Sequence, residues 1–167
     1  FLENAKKYDL KVILDMHGVV GGQSGNEHSG TRRTEFWTNE VYQKEMCDLW
    51  KNIASYYLNE RKDLASTILA YDLINEPALD KKVTTKREWD VMDKMYKAIR
   101  EVDEDHIIAI EGCWYFDSLP DPKKYNWENV MYEFHLYNWD NEKVSNDVYH
   151  TLHFFKWIQL ERKAYVL

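Results

Sequence analysis

Short apolar runs alternate with longer stretches of helical periodicity along this chain, and that alternation restricts its fold more than any other feature. Residues 11–16 (Lys-Val-Ile-Leu-Asp-Met) form a run of the kind buried in a parallel strand. Met46, Leu49, Trp50, Ile53 and Tyr57 then recur along one face of a long helix. A second strand is expected over about 67–75, and Thr85 with Glu88 reads as a capping box opening a helix on Trp89, Met92, Tyr96 and Ile99. Residues 106–110 read as a third strand ending at Glu111-Gly112, and residues 129–136 as a fourth. Val148, Leu152 and Phe155 mark a last helix, before a strand that begins at 164. With a helical pattern ahead of residue 11 and a short piece between the third and fourth strands, the order is helix, β, α, β, α, β, short piece, β, α, β. Such an order gives parallel strands joined by crossovers, in a doubly wound sheet or a (β/α)8 barrel. Five strands at most are present in the 167 residues, whereas a whole barrel takes about 250 residues. The expectation is one α/β domain over residues 1–167, an incomplete (β/α)8 TIM barrel.

Composition removes several function classes. The 22 basic against 29 acidic residues leave a net charge of -7 with no basic stripe, which argues against nucleic acid or an anionic membrane as partner. No apolar stretch approaches the roughly 20 residues of a membrane span. Five of the six glycines (Gly18, Gly21, Gly22, Gly25 and Gly30) gather in one loop, yet no G-x-G-x-x-G opens a helix, so a dinucleotide site is a weak reading. No C-x-x-C or metal-spaced His/Cys cluster occurs. Cys47 and Cys113 read as buried thiols, with a disulfide between them left open. The chain opens on Phe1 within a helical pattern, so its N-terminus is expected further upstream.

The second strand carries the chemistry. Its apolar run leads into Asp72-Leu73-Ile74-Asn75-Glu76-Pro77, where the proline ends the element and leaves Asn75 and Glu76 at the C-terminal strand end. In a barrel, catalytic groups sit at that end. A carboxylate beside a fixed amide suits an acid that protonates a leaving oxygen while a neighbouring hydroxyl is held.

Four motifs together resemble the central part of glycoside hydrolase family 5, the cellulase family of retaining glycosidases. They are Ile13-Leu14-Asp15-Met16-His17-Gly18, Leu69 through Pro77, Ile110-Glu111-Gly112 with Trp114, and His135-Leu136-Tyr137. The resemblance spans essentially the whole chain and implies about strands 3 to 7 of the barrel. It implies Glu76 as general acid/base, Asn75 holding the sugar 2-hydroxyl, His17 and His135 lining the sugar site, and Tyr137 on the nucleophile. The nucleophile itself, a Glu just after the seventh strand, is expected beyond Leu167. By the same resemblance the substrate is a β-linked oligo- or polysaccharide, no cofactor is implied, and a polymer substrate makes the full-length protein a secreted one.

Each residue also has a plainer reading. Glu76 pairs with a lysine, Asn75 makes a turn before Pro77, His17 and His135 are structural, and Tyr137 packs at the rim. Trp37, Trp114, Tyr115, Trp127 and Trp139 lie near strand ends, where rings either stack on sugars or pack in the core; Trp114 and Trp139 are the candidates for sugar. Glu111 is expected to hydrogen-bond at the pocket rim. Glu133, on the same side as His135 but deeper, is assigned to internal polar packing. The loop from Gly18 to Gly30, with Gln23, Ser24, Asn26 and His28, is expected to wall one end of the cleft. His28, His106, His150 and His153 read as surface or core residues. The rival of another class is a carbohydrate-binding barrel that has lost its nucleophile.

Overall fold

The computed structural model describes residues 1–77, 83–112, 119, 122–135, 156 and 165–166. The described elements are α1 (Leu2–Lys7), β1 (Val12–Asp15), α2 (Glu40–Asn59), α3 (Lys62–Ala65), β2 (Ile68–Asp72), α4 (Thr85–Arg100), β3 (Ile107–Glu111), α5 (Pro122–Tyr125), β4 (Val130–Glu133) and β5 (Tyr165–Val166). The helix expected on Val148, Leu152 and Phe155 lies outside the described residues.

All five strands are parallel and stand in the order β1-β2-β3-β4-β5. A doubly wound sheet reverses its strand order at a switch point. This sheet never reverses, so of the two architectures the periodicity allows, it is an arc of a (β/α)8 barrel. No described helix is long and apolar enough to cross a membrane.

Strand alternation sorts the core into two faces. Tyr71, Ile108, Ile110 and Tyr132 belong to the large cluster with Met46, Trp50 and Ala54 of α2 and with Val91, Met92, Met95 and Ile99 of α4. Trp50 meets Tyr71 edge-on, 5.7 Å between ring centroids, and its indole N–H donates to the Leu73 carbonyl at 3.3 Å. The opposite face is lined by Ala70, Ala109 and Met131, with Ile13 and Ile107 against them. Small residues there suit the crowded inside of a barrel. One step further along the same face, alternation places Asp15, Asp72, Glu111 and Glu133, all close to the C-terminal strand ends.

Local details depart from the sequence pattern in three places. Leu49 is 43% exposed, so the buried stripe of α2 runs through Met46, Trp50 and Ala54 instead. The N-cap of α4 is Thr84, whose hydroxyl accepts from the Arg87 amide at 3.2 Å, one position before the expected capping box. Both Thr84 and Thr85 can cap; Glu88 then falls one place too late in the helix to complete the box, and its side chain is buried. The fourth strand ends at Glu133, which leaves His135 free of the ladder, just beyond its mouth.

At the N-terminal strand ends a separate polar knot ties β2, β3 and their helices. Asp103, 2% exposed, accepts from the Tyr71 hydroxyl at 2.9 Å and from His106 Nδ1 at 2.6 Å. His106 Nε2 lies 3.0 Å from the Ala65 carbonyl. Both ring nitrogens thus face acceptors, and the Asp103 carboxylate and the Ala65 carbonyl raise the His106 pKa against its burial.

Candidate active site

Glu76 adopts φ +42, a left-handed conformation that a side-chain-bearing residue reaches only at a cost of about 1 to 3 kcal/mol. Three anchors hold the turn. Asn75 donates its amide to the Met16 carbonyl at 3.1 Å, which fixes the ends of β1 and β2 together. Gln23 reaches in from the glycine-rich loop and donates from Nε2 to the carbonyls of Asn75 and His17, at 3.0 and 3.1 Å. The Glu76 amide donates to Glu111 Oε2 at the end of β3.

Gln23 is fully buried, so the loop does more than wall a cleft: its centre is a plug between two strand ends. Gly22 makes this possible, because at its φ of +76 a Cβ would stand 2.3 Å from the Arg33 carbonyl oxygen. Trp37 closes the other side of the plug, donating from its indole to the Gln23 carbonyl at 2.8 Å.

The Glu76 carboxyl meets two imidazoles. Oε1 lies 2.8 Å from His135 Nδ1, and Oε2 lies 3.3 Å from His28 Nε2. His135 is surrounded by acids: its Nδ1 is also 3.6 Å from Glu111 Oε1, and its Nε2 is 3.3 Å from Glu133 Oε1. Burial alone would lower the His135 pKa, but Glu76, Glu111 and Glu133 together raise it above the ordinary imidazole value. Burial pushes Glu111 the other way, up to about 7, against the Glu76 amide and His135, which both favour its charge. Beneath them Asp72 is pushed up to about 9, first by burial and then by Glu133, Asp15 and Glu111, so it is a neutral acid at pH 7. One of its oxygens, Oδ1, has no hydrogen-bond partner, as suits a carboxyl that has kept its proton.

The expected residues divide accordingly. Asn75, 4% exposed, and Glu76 stand at the C-terminal mouth of the sheet with His135, as the sequence anticipates. His17 stands at the same mouth but faces Asp15, Nδ1 to Oδ2 at 2.8 Å, with a largely exposed ring and no described contact to Glu76. Glu111 is 4% exposed and lies under Glu76 instead of at the rim. Glu133 is internal, beside His135. Trp37 and Trp127 are core residues, 0% and 5% exposed, the latter donating to Asp93 Oδ1 at 2.9 Å, so neither ring is open to a sugar. Trp114, Tyr115, Tyr137, Trp139, His150 and His153 lie outside the described residues.

His28 is the residue that pattern reading misplaces. It sits in a 3-10 turn, Glu27–Ser29, with no strand or helix period around it to give it a direction. Only the polar, glycine-rich character of the loop hinted at a position over the cleft.

The chain belongs to the cellulase family, glycosyl hydrolase family 5, whose model matches residues 1–163. Endoglucanase C of Acetivibrio thermocellus is 31% identical over 139 residues, which is 82% of this chain and 37% of that protein. A beta-xylosidase of Phanerodontia chrysosporium is 31% identical over 137 residues, covering 79% of this chain and 27% of the relative. The chain therefore spans about a third of the length of these relatives. Among solved structures, Thermotoga maritima Cel5A with mannotriose is 21% identical, with a TM-score of 0.66 over 99% of this chain and 55% of its own. Pseudomonas stutzeri endoglucanase Cel5A is 24% identical, with a TM-score of 0.62 over 96% of this chain and 50% of its own. These two establish the barrel fold.

Proposed function

We propose that this chain supplies the acid/base half of a retaining β-glycosidase acting on β-linked glucans or related polysaccharides. The observation that carries the reading is Glu76 itself: a nearly buried carboxyl at the C-terminal mouth, in strained backbone, with His135 Nδ1 2.8 Å from one oxygen. Sites of chemistry in this architecture lie at that mouth.

In the first step Glu76 gives its proton to the glycosidic oxygen as a second carboxylate attacks the anomeric carbon. In the second it takes a proton from water, which releases the sugar. His135 Nδ1, 2.8 Å from Oε1, fixes the direction of the Glu76 carboxyl. Asn75 holds the 2-hydroxyl of the sugar. Tyr137, Trp114 and Trp139 are proposed for the nucleophile and the sugar faces, and His17 for a hydroxyl near the mouth.

Glu111 and Glu133 do not fit the nucleophile. A retaining pair stands about 5–5.5 Å apart across the scissile bond, whereas Glu111 binds the Glu76 amide and Glu133 lies behind His135. We assign the nucleophile to a Glu that follows Leu167 in the full-length protein, which we also place outside the cell, where polysaccharides are. The chain by itself is then inactive on a soluble β-glucan.

Glu76→Gln in the full-length protein tests the reading: hydrolysis of unactivated β-glucan should fall at least about 100-fold. Azide should restore turnover of an activated aryl glycoside by Glu76→Ala, with a glycosyl azide as product. Unchanged hydrolysis in either variant removes Glu76 from the chemistry.

A further inference from the structure

Glu111 occupies a place that the acid/base chemistry does not use, yet it touches both parts of that machinery. One oxygen accepts the amide of Glu76, and the other lies 3.6 Å from the ring nitrogen that holds Glu76 Oε1. The amide at the left-handed turn is buried with its residue, and a buried N–H without an acceptor is costly. Asn75 and Leu73 donate to the main-chain carbonyls of Met16 and Ala109, while the Glu76 amide goes to a side chain on the neighbouring strand. The conformation of Glu76 thus depends on a carboxylate 35 residues further along the chain.

We propose that Glu111 is a positioning residue for Glu76, holding its strained backbone through the amide and holding His135 against its carboxyl. The inference rests on the glycosidase reading of Glu76 for its effect on turnover, and on geometry alone for its effect on His135. Ionised Glu111 performs both tasks, since it accepts the amide and attracts the imidazolium. Protonation weakens both.

Among the described residues, the groups that face Glu111 are the Glu76 carboxyl and amide just after β2, Asp72 within β2, Glu133 at the end of β4 and His135 just after it. His28, from the loop, faces the far oxygen of Glu76. Burial raises Glu111 to about 7, so its ionisation falls within the working range of such an enzyme. Acidification through that range would disengage Glu76 before the fold is lost.

The test uses Glu111→Gln and Glu111→Leu in the full-length protein, with folded fraction checked by circular dichroism. Gln keeps an oxygen for the amide but loses the charge, whereas Leu loses both. On unactivated β-glucan, kcat should fall about tenfold in the Gln variant and about 100-fold in the Leu variant, with KM little changed. An activated aryl glycoside, whose leaving group needs no proton, should show a clearly smaller loss in kcat/KM. The acidic limb of the kcat profile near pH 7 should move in folded Glu111→Gln, and the NMR titration midpoint of the His135 ring should fall. An unmoved acidic limb, or an unmoved His135 midpoint, overturns the proposal. If the unsubstituted protein hydrolyses no β-linked glycan, the glycosidase reading fails, and the His135 midpoint still decides the role of Glu111.

Discussion

Two histidine–carboxylate clusters stand at opposite ends of the same sheet, and they are built to opposite rules. At the N-terminal ends, His106 has one carboxylate and one carbonyl, and Asp103 is met by a hydroxyl and an imidazole nitrogen. Donors and acceptors balance. At the C-terminal ends, His135 faces Glu76, Glu111 and Glu133, with Asp72 below them and His28 on the far oxygen of Glu76, so carboxyls outnumber imidazoles. The pKa shifts follow. His106 and neighbouring N–H and O–H donors hold Asp103 down at about 2 despite its burial, whereas Glu111 and Asp72 rise to about 7 and about 9. The first arrangement fastens the fold; the second, on the proposed glycosidase reading, keeps protons within reach of the substrate.

The largest expected contrast lies in activity. Glu76→Gln at the upper cluster should cost at least about 100-fold in hydrolysis, while the urea midpoint stays near that of the parent. Asp103→Ala at the lower cluster should do the reverse. It leaves an imidazole nitrogen and a tyrosine hydroxyl without their acceptor, so unfolding free energy should drop by about 3 to 5 kcal/mol, with kcat per folded molecule unchanged. A loss of kcat in folded Asp103→Ala protein would erase the distinction between the two ends.

Protonation sharpens it further. Asp72 binds its proton more tightly in the folded state than in the unfolded chain, so between about pH 4 and pH 9 the fold loses stability as pH rises. Asp72→Asn should flatten that slope and raise stability at pH 8 by about 1 to 3 kcal/mol, read by denaturation at several pH values. Asp103 has the opposite sign: its contribution is full above the ordinary Asp value and disappears as pH falls through about 2. His106 is raised, so its contribution is full below the ordinary His value and fades as pH rises through the folded one. The smallest effect is expected from Glu133→Gln, which should lower the His135 titration midpoint without moving the melting temperature.

How much of this was legible in the sequence differs between levels. Ile68 to Asp72 and Ile107 to Glu111 announce strands because their composition suits burial on both faces, and the Asn-Glu-Pro that follows β2 marks the strand end where the site is proposed. His135 was legible too, lying just past a strand whose alternation gave it a side. Leu49 misled because a helical face defined by spacing is wider than the stripe that neighbouring elements cover. Trp37 and Trp127 took the core reading of the two that the sequence left open, because a ring near a strand end has the same local signature whether it faces a sugar or the core.

The sequence by itself determined which segments are strands and which strand end carries Asn75 and Glu76, the proposed acid. Those properties follow from periodicity and turn chemistry within a few residues. Tertiary structure alone decided that Glu111 takes the amide of Glu76, that His28 comes to its second oxygen, and that Gln23 fills the gap between β1 and β2. Contacts of that kind depend on the register of neighbouring strands and on the path of a loop, and both are set by packing across the whole sheet, where no local pattern records them.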